Sequence, residues 1–336
     1  MKNATHEEAF TTLTGRVAFV TFMVFISITG ALANVMVIFS IFFNHSLRTK
    51  TNYVVFSLAV SDFFVATIAI PLRLLPELTT STTMLVPCNV VLAFTILFDG
   101  ASRLNIVLIS LDRFIAVRFP FFYETHASKR AVLIAITGFW TILGVFATFL
   151  LSGVGLRAKE EHAEDFTSNA SNICLLSTTL SEAAVMTFTI GFCSIPILVI
   201  VPINYYLVKK SYWHIKKIHD LLKSVEANSN LERSDNMRKR SQELALRHRN
   251  RAKMVAVLVC LFLILVAPIT IIDVVETLGN LSVPSYLSKP AVCLIYLNTA
   301  VNVFVYAAFN GAFREAFKRM FVRFKEFIDQ CPCLAR

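Results

Sequence analysis

The stretch ILFDGASRLNIVLISLDRFIAVRFP, residues 96–120, decides the fold. It is long and apolar enough to cross a bilayer, since ~20 helical residues rising ~1.5 Å each span the ~30 Å of hydrocarbon. Yet it carries Asp99, Arg103, Asp112 and Arg113. Ionisable groups at membrane depth are costly and mark functional positions, so each pair needs its own account. Asp99 and Arg103 stand four residues apart, share a helix face and can neutralise one another. The alternative reading turns Asp99 toward a pocket, where it binds a ligand cation. Asp112 and Arg113 are adjacent and fall where the apolar run ends.

Six further runs of this kind flank the stretch, and the seven cover approximately residues 17–43, 53–76, 86–116, 131–153, 184–210, 253–277 and 288–309. Charged residues make up 16% of the chain, against about 25% in an ordinary soluble domain. Together these point to an all-α membrane protein, a seven-transmembrane helix bundle plus a short amphipathic interfacial helix. The first run is too long for the apolar part of a signal peptide and lacks a small-residue cleavage site. It reads as a retained helix behind a hydrophilic N-terminus, residues 1–16. The bundle covers 17–309, with a long loop at about 211–252, and 310–336 form the amphipathic helix and tail.

Charge asymmetry gives the orientation. With the N-terminus outside, the inner segments 44–52, 113–130, 209–253 and 310–336 hold 25 of the 32 Lys and Arg, the expected positive-inside bias. The net charge of +10 then faces anionic lipid rather than nucleic acid, for which no basic soluble domain is present. The sequons at Asn3, Asn169 and Asn280 fall on outer segments and are candidate glycosylation sites, whereas the one at Asn44 falls inside. The placement implies a multi-pass protein of the plasma membrane.

After the seventh run, Phe313, Phe317, Phe321 and Phe324 recur on one helical face among Arg and Lys residues, the pattern of a helix lying on an anionic leaflet. Cys331 and Cys333 follow it as candidate palmitoylation sites, not a prenylation box. Of the remaining cysteines, Cys193, Cys260 and Cys293 lie in apolar runs as packing residues. Cys88 and Cys174 lie on outer segments facing an oxidising compartment and form the natural disulfide pair.

The motifs taken in order resemble rhodopsin-like G protein-coupled receptors over nearly the whole chain, loosely those for amines and adenosine. They are Asn34 in GALANVMV, Asp62 in SLAVSD, Cys88, Asp112-Arg113-Phe114, Trp140, Pro268, Asn302 to Tyr306 (NVFVY) and Phe313. In the fifth run Pro196 and Pro202 compete for the family's proline, and Tyr205 and Tyr206 for its inner tyrosine. Four positions depart from the family's pattern: Phe114 replaces its Tyr, Val303 its seventh-helix Pro, Val266 its sixth-helix Trp, and His248 its inner acid. These put the usual resting-state restraints in question.

The resemblance implies roles for particular residues. Asp112, Arg113, Asn302 and Tyr306 would form the switch that couples to a heterotrimeric G protein. Asp62 with Ser102, Asn298 and Asn302 would form a polar cluster able to hold an allosteric sodium ion, an oxygen donor set suited to a hard cation; no other cofactor is expected. A structural hydrogen-bonded knot is the alternative. Thr95 stands where amine receptors carry their amine-binding acid, one turn from Asp99. Thr95, Asp99, Asp273 and Tyr296 are the candidate ligand contacts, although Asp273 and Glu276 also read as solvated charges at a helix end.

The function expected is transduction of an extracellular small ligand, amine- or nucleoside-like, into G-protein activation. A peptide-binding or constitutively active receptor of the same fold is the alternative. A light sensor needs a Schiff-base lysine where Tyr296 stands, and Lys289 lies too near the surface. A transporter or channel would show repeats and broken helices, which the motif order opposes. No nucleophile–base or metal constellation points to an enzyme.

Overall fold

The computed structural model describes residues 13–78, 86–154, 156, 176–228, 233–279, 281 and 283–330. Seven helices among them are long and apolar enough to cross a membrane. They are α1 (Leu13–Phe43), α2 (Lys50–Leu78), α3 (Cys88–Arg118), α4 (Lys129–Leu151), α5 from Glu182 to Asn228, α6 (Arg233–Gly279) and α7 (Ser285–Phe309). An eighth, α8 (Gly311–Gln330), follows α7 after a single residue. No strand occurs among the described residues; one isolated bridge joins Leu156 to Leu180. The protein is a multi-pass helical bundle. Asn3, Asn169, Asn280, Cys174, Cys331 and Cys333 lie outside the described residues, as does the side chain of His248.

Large apolar side chains such as Ile134, Val145, Leu198, Ile264 and Phe304 point outward and stay exposed, as a hydrocarbon surround permits. The bundle interior instead collects the polar groups. Asn34 of α1 donates to the carbonyls of Gly30, at 2.9 Å, and Thr299 of α7, at 3.0 Å. Trp140 of α4 donates to Ser57 of α2 at 3.1 Å, and its ring meets Phe98 of α3 edge-on. At Gly100 a Cβ would come within 2.9 Å of Leu143 Cδ2, so the glycine lets α3 lie close against α4.

Two helices contain a widened π turn, Val65–Ala69 in α2 and Thr189–Ser194 in α5. Each precedes a proline by two residues, Pro71 and Pro196. Proline has no N–H for the carbonyl four residues back, and the widened turn absorbs that break. In α5 the widened turn accompanies Pro196, while Pro202 sits within regular helix. Of the two candidate tyrosines, Tyr205 is exposed, and Tyr206 packs edge-on against Phe114 with ring centroids 5.4 Å apart. With Val303 in place of proline, α7 runs unbroken to Phe309.

The aromatic face of α8 divides. Phe313 is fully buried, stacking on Tyr306 at 5.7 Å and meeting Phe317 at 5.9 Å, whereas Phe321 is exposed. The first turns of α8 are thus part of the core, and the later ones are left for the interface.

Candidate functional site: a charged cleft and two polar clusters

Toward the Cys88 end of the bundle, α2, α3, α5, α6 and α7 surround a small cleft that opens to solvent. All four candidate contacts, Thr95, Asp99, Asp273 and Tyr296, line it. Arg73 and Arg103 join them, so two acids and two guanidinium groups face one small volume. Ile96, Ile269 and Val292 supply apolar wall. Cys88 itself is disulfide-bonded.

Asp99 both lines the cleft and is held internally. Its Oδ2 accepts from Arg103 Nε at 2.7 Å and lies 2.6 Å from Nη2, with both side chains buried. The i, i+4 spacing places the two groups on one face, and the guanidinium leans over the Phe188 ring of α5, 5.8 Å from its centroid. Thr95 donates to the Val91 carbonyl at 2.8 Å. Its hydroxyl proton is thereby used, so Tyr296 is the donor in the 3.4 Å contact between the two hydroxyls. That contact ties α3 to α7 across the cleft.

Asp273 and Glu276 separate in role. Asp273 is only 6% exposed and faces the cleft, and no hydrogen bond or ion pair reaches its carboxylate among the described residues. Glu276 accepts from the Val283 N–H at 3.1 Å, tying α6 to the segment before α7. Lys289, in the first turns of α7, is buried within the bundle, where Glu77 of α2 holds its ammonium at 3.0 Å. Arg16 of α1 approaches the same carboxylate at 3.7 Å and donates to the Glu77 carbonyl at 2.7 Å.

Midway along the bundle, Asn302 donates to Asp62 Oδ2 at 2.8 Å. Asp62 Oδ1, Ser102 Oγ and the Tyr306 hydroxyl are buried without a hydrogen-bond partner. Orphaned buried oxygens are unusual and call for an unseen partner. Carboxylate and hydroxyl oxygens beside the buried amide of Asn298 suit a hard monovalent cation such as sodium.

At the far end, Asp112 accepts from Thr51 at 2.7 Å through Oδ2 and from Tyr123 at 2.8 Å through Oδ1. Arg113 Nη2 donates to Thr51 Oγ1 at 2.5 Å, and its Nε lies 3.7 Å from Asp112 Oδ2. Thr51 thus relays between the arginine and the acid. Tyr123 belongs to a short helix, Pro120–His126, just past α3. Burial, and then the adjacent Asp112 carboxylate, hold its phenol above the ordinary tyrosine range, so it remains a donor. The four candidate switch residues therefore do not form one cluster: Asp112 and Arg113 pair here, Asn302 joins Asp62, and Tyr306 stacks under Phe313.

A model of the 7 transmembrane receptor (rhodopsin family) matches residues 33–306. The chain belongs to that family. It is a receptor and not an enzyme. Among its relatives, Dopamine receptor 1 of Drosophila melanogaster is 26% identical over 319 residues, 90% of this chain and 61% of the relative. Trace amine-associated receptor 9 of Mus musculus is 27% identical, covering 85% of this chain and 79% of its own length. 5-hydroxytryptamine receptor 4 of Homo sapiens is 25% identical, covering 94% and 82%. The chain spans about three fifths of the length of Dopamine receptor 1 and of the D(1C) dopamine receptor of Xenopus laevis, which is 25% identical to it over 85% of this chain.

Several participants had no clear sequence signal. Arg73 was readable as a lone arginine in an apolar run, but its partners were not. Thr51 and Tyr123 are distant in sequence from one another and look unremarkable in isolation. Asn204 of α5 donates to Ser110 of α3 at 3.2 Å, a link carried by no motif.

Proposed function

We infer that the receptor transduces binding of an extracellular small amine into activation of a heterotrimeric G protein at the plasma membrane, with its N-terminus outside. The observation that carries the reading is the cleft itself: a small volume opening to solvent, with a buried carboxylate, Asp273, to which no hydrogen bond or ion pair is made among the described residues. Relatives named for dopamine, serotonin and trace amines support the ligand class.

Thr95, Asp99, Asp273 and Tyr296 contact the ligand. Binding between α3, α6 and α7 favours one of two bundle arrangements. The change reaches Asp112 and Arg113 through Asn302 and Tyr306, and release of Arg113 opens an inner cleft for the G protein. Asp62, Ser102 and Asn298 hold sodium in the resting arrangement. The Cys88–Cys174 disulfide braces the outer loop, glycans occupy Asn3, Asn169 and Asn280, and acyl chains on Cys331 and Cys333 pin α8 to lipid.

A panel of amines, nucleosides and short peptides, read with several G-protein sensors in cells bearing the receptor, tests this. Dose-dependent activation by amines is expected. Silence across the panel, with basal signal equal to mock-transfected cells, would sink it. Asp62→Asn removes any dependence of ligand affinity on sodium concentration, measured in membranes with potassium as the control ion.

A further inference from the structure

The charges around the cleft are sorted by side. On α6 stand Asp273, facing the cleft, and Glu276 one turn away. On α1, α2 and α7 stand Arg16, Arg73 and Lys289 with Glu77 as their acid. Asp99 and Arg103, close together on α3, cancel. In the cleft lining itself, Asp273 of α6 therefore stands apart from Arg73 of α2, while Glu276, Arg16, Glu77 and Lys289 do not line it. Arg73 lines the cleft on the positive side, and the charges acting on Asp273 are Arg103, Glu276 and Arg73.

A plain cation seated on Asp273 would place its charge near Arg73, whose charge is not cancelled on its own helix as that of Arg103 is, and like charges brought together are costly. A plain anion would meet the same objection from the acids. A molecule with both charges would answer both walls. The apolar side chains of Ile96, Ile269 and Val292 offer a hydrocarbon or aromatic body an apolar wall between the charged ends.

Resting on the reading of an amine-binding cleft, we propose that the natural ligand is a zwitterion of amino-acid type, whose ammonium meets Asp273 and whose carboxylate meets Arg73. Specificity then comes from the second charge. An ammonium alone is recognised, but weakly. The guanidinium fork is suited to planar carboxylate recognition, and Asp273 offers two acceptor oxygens to an ammonium.

The test compares matched pairs on the intact receptor: tryptophan with tryptamine, tyrosine with tyramine, phenylalanine with phenethylamine, and indole-3-propionate as an anion-only control. Potency is read with the G-protein sensor, and surface receptor is counted by an epitope tag. A charge-assisted contact made by one member only should render each zwitterion about tenfold more potent than its amine. Arg73→Gln should close that gap by weakening the zwitterion alone, and Asp273→Asn should weaken both members. Arg73→Lys, which keeps the charge, should retain part of the gap and serves where Arg73→Gln reaches the surface poorly. Amines equal to or stronger than their amino acids overturn the zwitterion while leaving the amine reading intact. Silence from every compound overturns both.

Discussion

The two charged pairs of α3 are chemically alike and structurally opposite. Asp99 and Arg103 lie four residues apart, buried, and joined through both Nε and Nη2 at 2.7 and 2.6 Å. Asp112 and Arg113 are neighbours in sequence, yet their nearest approach is 3.7 Å and the arginine is partly exposed. The second pair is held together through neutral intermediaries, Thr51 and Tyr123, contributed by α2 and by the short helix after α3. The first pair is an internal brace. The second can be exchanged for other partners at small cost, because each of its contacts is individually modest.

The largest effect that breaks this comparison comes from removing one half of the brace. Arg103→Met leaves the Asp99 charge buried and uncompensated, a defect costing about 3–5 kcal/mol. Surface expression, counted with an epitope tag, should fall to near background. Adding Asp99→Leu removes the stranded charge, and expression should recover. Loss of expression in the double variant equal to that in Arg103→Met would mean that the pair does more than neutralise itself.

How far the sequence discloses these arrangements differs between fold and site. The seven spans were legible because apolar runs of membrane length have few other uses, and their limits differ from the apolar spans of the structure by only a few residues, although α5 continues past its span to Asn228 and α6 begins well before its span, at Arg233. The separation of Cys88 and Arg113 to opposite ends of α3 followed from helical rise. Within the site, Asp273 and Glu276 sat three residues apart and read as one group. Their separation depends on how α6 is rotated and on the path of the segment reaching Val283, neither of which is local. The pairing of Lys289 was not legible because its partner, Glu77, lies on another helix. The widened turn ahead of Pro71 also shifts the register between Asp62 and Arg73, so simple helical periodicity cannot relate them.

A middle-sized effect sharpens the contrast from the other end. Asp112→Asn removes the negative charge shared by Thr51, Tyr123 and Arg113 while keeping the side chain's size. Hydrogen bonds to a charged group contribute about 1.5–3 kcal/mol, and this is the scale by which Arg113 would be released. Nucleotide exchange on a purified G protein, without ligand, should rise by about tenfold or more. Surface expression should change far less than in Arg103→Met. An expression loss as deep as that of Arg103→Met would erase the distinction between brace and exchangeable pair.

The smallest effect isolates the intermediaries. Tyr123→Phe removes one hydrogen bond to Asp112 Oδ1 and leaves the ring over which the Lys50 ammonium sits, 5.2 Å from the centroid. Side-chain hydrogen bonds within membrane proteins average ~0.6 kcal/mol and reach ~1.7, so basal exchange should rise about threefold, and by no more than about twentyfold. Thr51→Ala should do more, because that hydroxyl both accepts from Arg113 and donates to Asp112. The two act on different oxygens of one carboxylate, and combining them shows whether they hold it independently. If they do, their effects on the logarithm of the exchange rate add. If Thr51 also positions the acid for Tyr123, the double variant falls short of the sum, and the relay through Thr51 is what keeps Arg113 at rest.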